Sequence, residues 1–224
     1  MKNKIEKVAV LGAGTMGAQI AGHLANAGIS SCLFDISQEL ADKGVGILST
    51  LKPAPLYKPK NVSLIEACNY DDHLDKIKDA DWIVEAVAEK LDIKHSVYNN
   101  IADYIKNTAI ISSNTSGIPL GDLTKVMSDD VKSRFLITHF FNPPRYMRLL
   151  ELVKGPDTST DIYNDMATFG EDILGKGIVH AKDTPNFVGN RIGVHGGNNA
   201  IKLAIKMGLT CEEVDKLTGT IVGR

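Results

Sequence analysis

Cysteine is scarce in this chain. Cys32, Cys68 and Cys211 are the only three in 224 residues, and they lie far apart without a C-x-x-C pair. That excludes a disulfide framework and offers no metal-binding spacing, so the expectation is a reduced intracellular protein with buried thiols and no metal. No two of the six histidines have the i, i+4 spacing of a helical metal pair. A block of one charge is also missing: 25 basic and 27 acidic residues leave a net charge of −2, with no basic run or acidic tail. Neither nucleic acid nor a membrane surface is therefore expected as a partner. The amino terminus lacks the apolar stretch of a secretory signal, which makes the cytoplasm the expected location. Internal repeats and low-complexity tracts are absent as well.

What is present starts at Lys7. Val8 to Leu11 form a short apolar run of the kind buried on both faces of a parallel sheet, and Gly12-Ala13-Gly14-Thr15-Met16-Gly17 follows with the spacing G-x-G-x-x-G. Gly12 permits a tight strand-to-helix turn, Gly14 lets backbone approach a pyrophosphate, and Gly17 allows the helix to pack on the strand. The helix amino end at Thr15 and Met16 offers N–H groups and a partial positive charge to phosphates. A second apolar strand, Cys32 to Phe34, ends on Asp35. An acid about 20 positions after the glycines is placed to accept hydrogen bonds from an adenosine ribose. Strand, glycines, helix, strand and acid in that order point to a dinucleotide, with NAD as the expected cofactor.

Further on, a helix is expected from 37 to 51, ended by Pro53, Pro55 and Pro59, with Lys52, Lys58 and Lys60 on a surface loop. Short strands are expected at 62–66, 81–87, 108–113, 135–140 and 149–153, with a helical connection over 70–79. Hydrophobic residues make up 43% of the chain, enough for one large domain with a smaller companion. The alternation of strand and helix predicts an α/β fold, a doubly wound Rossmann-type sheet filling residues 1–185. Residues 186–224 read as helical, with Thr184 as cap and Pro185 in the first turn. Gly196-Gly197 interrupts that pattern, and Thr210 with Glu213 forms a capping box for a last helix.

Ligands of open parallel sheets lie beyond the carboxyl ends of the strands. Glu89, Lys94, Asn114 and Ser116 fall there in the sequence order, and so does His139, within Thr138-His139-Phe140-Phe141-Asn142. His139 is a candidate for the proton transfer that accompanies hydride transfer at an alcohol carbon. Glu151 interrupts the apolar strand Leu149 to Val153. If that strand runs antiparallel to the one bearing His139, the carboxylate reaches the imidazole and fixes its tautomer. An outward-facing glutamate on an edge strand is the alternative.

Taken together, GAGTMGAQIA, Asp35, EAVAEKLDIK at 85–94, SSNTSG at 112–117, THFFNPP at 138–144, LLELV at 149–153 and KDTPNFVGNR at 182–191 resemble the L-3-hydroxyacyl-CoA dehydrogenase family. The resemblance implies NAD-dependent oxidation of the 3-hydroxyl of an acyl-CoA. His139 is then the general base, with Glu151 its partner. It also implies that Ser116, Asn142 and Asn190 contact substrate or nicotinamide and that Glu89 and Lys94 touch the cofactor. Rival readings are a dehydrogenase of a free hydroxy acid and a non-catalytic NAD-binding sensor. The sequence departs from the family in two places. The proline-broken 52–60 segment stands where the family carries a longer lysine-rich helical excursion that helps hold the CoA phosphates. The helical region 186–224 is also shorter than the family's carboxyl-terminal domain, so a truncated helical domain is expected here, with a homodimer where that domain is complete.

Overall fold

A computed structural model describes residues 4–219. The chain divides into two compact units, Met1–Pro185 and Asn186–Arg224. In the first unit the strands are β1 (Lys7–Leu11), β2 (Ser30–Asp35), β3 (Ile65–Asn69), β4 (Trp82–Glu85), β5 (Ile110–Ser113), β6 (Phe135–Phe140), β7 (Leu149–Lys154) and β8 (Gly177–Ala181). Its helices are α1 (Thr15–Asn26), α2 (Gln38–Ile47), α3 (Leu91–Ile101), α4 (Leu120–Leu123), α5 (Asp129–Ser133) and α6 (Thr160–Thr168). The strands make one eight-stranded sheet in the order β3-β2-β1-β4-β5-β6-β7-β8, and β7 alone runs antiparallel to the neighbour before it. This is the doubly wound Rossmann-type arrangement, extended by two strands. The order reverses between β1 and β4, which opens the crevice at the carboxyl ends of those strands.

Alternation along the strands gives each face its own contents. Val8, Val10, Trp82, Val84, Leu136, Phe140, Leu150 and Leu152 turn to the face where Ile20, Ala21 and Leu24 of α1 and Met166 of α6 complete one core. Each large side chain fully buried there contributes about 1.5–3 kcal/mol. A buried polar chain crosses the same face: Trp82 Nε1 donates to Ser112 Oγ at 2.8 Å, and that hydroxyl meets Thr138 Oγ1 at 2.8 Å. Satisfying these groups removes the cost of burying them. The opposite face carries Tyr98 of α3 edge-on to Phe135 at 5.9 Å. His139 and Glu151 are directly opposed across β6 and β7.

Local chemistry corrects the expected boundaries in three places. Of the strand expected over 62–66 only Ile65 and Glu66 are extended. Pro59 opens a 3-10 helix that runs to Leu64, and β3 then covers Ile65–Asn69. The second helix stops at Ile47, well before the prolines, although Ser37 caps it by accepting from Leu40 N. The carboxyl-terminal helix does not start at Thr184 or Pro185. The Asp183 carboxylate is taken by Leu120 N, and the backbone is left-handed at Asn186 (φ 62°) and Phe187 (φ 45°). A helix cannot pass through left-handed residues.

The second unit consists of α7 (Gly189–Met207) and α8 (Cys211–Thr218). Gly196 and Gly197 do not interrupt α7, which is continuous through them. Gly208 (φ 66°) ends α7 in the left-handed conformation that favours glycine. The Thr210–Glu213 capping box starts α8, with Thr210 Oγ1 accepting from Glu213 N at 3.3 Å and Glu213 Oε2 from Thr210 N at 2.8 Å.

Candidate active site

The glycine turn is held between β2 and β4. Gly12 N donates to Phe34 O at 2.8 Å, and its φ of 102° belongs to the region L side chains avoid. A Cβ on Gly12 would stand 2.8 Å from Ala86 O, and one on Gly17 only 1.8 Å from Gly12 O. Gly14 differs, because nothing lies within 4 Å of where its Cβ would be. The space beside Gly14 is therefore open to a ligand at the start of α1, where Gly14 provides no side-chain cap to occupy the helix N–H groups. A cleft of about 290 Å³ lies alongside, lined by residues that include Ala13, Gly14, Thr15, Asp35 and Leu40. Asp35 accepts from Ala13 N and Ile36 N, both at 2.8 Å, one on each oxygen. A carboxylate has about four acceptor sites, so capacity remains for two ribose hydroxyls. The cradle fits a dinucleotide.

Beside it, Glu85 ends β4 with no exposed surface. It accepts from Lys94 Nζ at 2.7 Å, Tyr98 Oη at 2.8 Å, Ser113 Oγ at 2.6 Å and Val87 N at 2.8 Å. Burial and the adjacent Glu85 charge hold the Tyr98 phenol well above its ordinary range. Lys94, expected to touch the cofactor, is only 1% exposed; its Nζ bridges Glu85 and Glu89, the latter at 3.1 Å. The ammonium thus links the buried Glu85 to Glu89. Glu89 is the more open carboxylate and also accepts from Ser116 N at 2.8 Å and from Thr115 Oγ1. Burial raises its pKa, but the Thr115 hydroxyl, the Lys94 charge and the Ser116 N–H outweigh that and leave it below the usual carboxylate range.

At the next strands His139 Nδ1 lies 2.7 Å from Glu151 Oε2, with histidine 4% and glutamate 0% exposed. A carboxylate only accepts, so with Nδ1 donating to it Nε2 is the ring's acceptor. Nε2 faces Ser116 Oγ at 3.2 Å. Asn114 Oδ1 accepts from Phe140 N at 2.9 Å, which ties the loop after β5 to the end of β6. Asn142 Oδ1 accepts from Gln19 Nε2 at 3.0 Å, which joins the loop after β6 to α1. Asn190 belongs to the second unit, at the second position of α7.

The family model of the 3-hydroxyacyl-CoA dehydrogenase NAD binding domain matches residues 7–184. This chain belongs to the 3-hydroxyacyl-CoA dehydrogenase family. A probable 3-hydroxyacyl-CoA dehydrogenase of Deinococcus radiodurans is 47% identical over 99% of this chain and 66% of its own length. One of Bacillus subtilis is 44% identical over the whole chain but only 31% of its own length. The chain thus spans from under a third to about two thirds of these curated relatives. Among solved structures, (S)-3-hydroxybutyryl-CoA dehydrogenase from Ralstonia eutropha superposes with a TM-score of 0.80 at 31% identity, covering 94% of this chain and 75% of that one.

Within this family domain several residues that shape the site carry no signal in the sequence. Glu85 reads as a strand end, Gln19 as one of many polar helix residues. Lys176 is 6% exposed and donates to Pro144 O and to Met147 O, the latter at 2.9 Å, so it holds the loop that follows Asn142. Burial lowers its pKa to about 8. Arg145 Nη1 donates to Leu56 O at 2.8 Å and also to Ala54 O, and its guanidinium lies 4.5 Å from the Tyr57 ring. The proline-rich segment is thereby pinned to the same loop. Only its distance in the sequence hides the link.

Proposed function

We propose that this chain provides the cofactor half and the acid–base pair of an NAD-dependent L-3-hydroxyacyl-CoA dehydrogenase, which converts the 3-hydroxyl to a 3-oxo group. The reading is carried by one observation: the buried His139–Glu151 pair, with Nε2 turned to Ser116, stands on the sheet that also forms the glycine cradle. The names of the relatives support an acyl-CoA substrate. NAD, when bound, supplies the hydride acceptor. Asp35 and the backbone of Gly14, Thr15 and Met16 bind the nucleotide end, while Glu89, Asn114 and Asn142 line the approach to the nicotinamide end.

In this scheme His139 Nε2 takes the hydroxyl proton as the C–H hydrogen leaves as hydride, and Ser116 Oγ hydrogen-bonds the reacting oxygen. Glu151 holds the imidazole through Nδ1 and stabilises the imidazolium that forms. Such a base contributes about 10²–10⁴-fold to rate. No helix among the described residues is long and apolar enough to cross a membrane. We place the protein in the cytoplasm and infer a homodimer in the presence of a complete helical domain. Mixing the full-length protein with NADH and either acetoacetyl-CoA or free acetoacetate tests the reading. NADH consumption only with the thioester is expected. Consumption with the free acid alone would make it a hydroxy-acid dehydrogenase, and NADH binding without consumption of either would make it non-catalytic.

A further inference from the structure

Away from the cofactor end of the sheet, the parallel register of β2 and β3 sets Cys32 directly opposite Glu66, with Cys68 two residues further along β3. A strand repeats its facing every second residue, so all three side chains share one face. Their ligand atoms, the two thiol sulfurs and a carboxylate oxygen, lie within 4.8 Å of one another. We propose that Cys32, Glu66 and Cys68 form a site for one thiophilic divalent cation of the zinc class.

Zn–S bonds of about 2.3 Å and Zn–O bonds of about 2.0 Å, arranged tetrahedrally, separate ligand atoms by roughly 3.5–3.8 Å. Cys32 Sγ is already 4.0 Å from Glu66 Oε2. Closing the set therefore needs side-chain shifts of about an ångström or less and no backbone movement. The second carboxylate oxygen, Oε1, pairs with Lys76 Nζ, so the lysine serves as the outer partner that orients a ligating carboxylate. Charge closes as well: two thiolates and one carboxylate are balanced by a divalent ion and the lysine ammonium. A cavity of about 380 Å³, lined in part by Cys32, Ser63, Glu66 and Lys76, adjoins the group and leaves room for water as the fourth ligand. The ion would tie β3, the edge strand of the sheet, to β2. Binding releases the thiol protons to solvent and oxidises nothing.

Cobalt(II) is the probe, because thiolate ligation gives it a charge-transfer absorption. The full chain, reduced with a non-chelating phosphine, is titrated with Co²⁺ and then with Zn²⁺. One Co²⁺ per chain is expected, with a charge-transfer band displaced by Zn²⁺, lost in Cys32→Ser and in Cys68→Ser, and unchanged in Cys211→Ser. Added Zn²⁺ should raise the melting temperature of the wild type. Should the buried Cys68→Ser variant fold poorly, Glu66→Gln carries the test, since Glu66 is exposed and its loss leaves the core intact. That variant should bind Co²⁺ more weakly and keep wild-type NADH affinity. No band, a band that survives in folded Cys68→Ser, or a Cys32–Cys68 disulfide formed in air without metal uptake overturns the proposal.

Discussion

The two halves of the sheet assemble their chemistry by different means. In the β1–α1–β2 half the cradle is mostly backbone: a left-handed Gly12, the open space at Gly14, and the N–H groups at the start of α1 that no side chain caps. In the β5–β6–β7 half the working parts are side chains, and His139 meets Glu151 only because an antiparallel register places the two opposite each other. Backbone geometry fails through steric overlap, which a single methyl produces. Side-chain pairs fail through an unmet charge, which leaves the fold in place if the group lost is replaced by one of the same shape.

The sharpest way to break the contrast is Gly17→Ala. Its Cβ would fall 1.8 Å from Gly12 O, so the helix must move off the strand, at a cost of more than about 4 kcal/mol. Gly14→Ala meets no atom within 4 Å and should keep its melting temperature while NADH affinity falls. Thermal melting and calorimetry on both variants separate the two effects. Glu85→Gln, intermediate between the halves, leaves the buried Lys94 with Glu89 as its remaining carboxylate and should lower stability in denaturant unfolding by less than the loss of a sole partner, which costs about 3–5 kcal/mol.

Acid stability sharpens the comparison further. Burial and then the nearby Lys176 charge lower the His23 pKa to about 4 from 6.5. Between those values the unfolded chain binds more protons, so stability is full above pH 6.5 and is lost as pH falls toward 4, by up to about 3 kcal/mol. His23→Gln should flatten the dependence in a series of urea melts. A smaller effect is expected from Asp35, whose carboxylate repels a 2′-phosphate. NADP should bind at least about tenfold more weakly than NAD, or 1.4 kcal/mol, and Asp35→Ser should narrow that ratio.

The same contrast explains what the sequence reveals. Glycine spacing and the acid at position 35 act locally, through the conformations a short peptide adopts, so the nucleotide half is legible from the residues alone. His139 and Glu151 stand out by their positions near a strand end and within an apolar strand, yet their meeting depends on strand direction, which spacing leaves open. Lys94 is a harder case. Its place near a helix start puts it on the cofactor side, and nothing in the spacing shows that the buried Glu85 on β4 draws its ammonium inward. The 3-10 helix at Pro59–Leu64 hides behind β-branched content for a related reason: the proline that opens it decides the backbone and the apolar alternation does not. Likewise Cys32 and Cys68 are distant in the chain and adjacent only through the pairing of β2 with β3.

The most direct measurement is a double-mutant cycle on His139→Gln and Glu151→Gln in the full-length protein, following acetoacetyl-CoA reduction and NADH affinity. If the carboxylate acts through the imidazole, each single variant lowers kcat by about 10²–10⁴-fold and the double variant is no worse than His139→Gln alone, with NADH affinity unchanged throughout. Losses that multiply, or a Glu151→Gln variant within about twofold of wild-type turnover, would contradict the pairing.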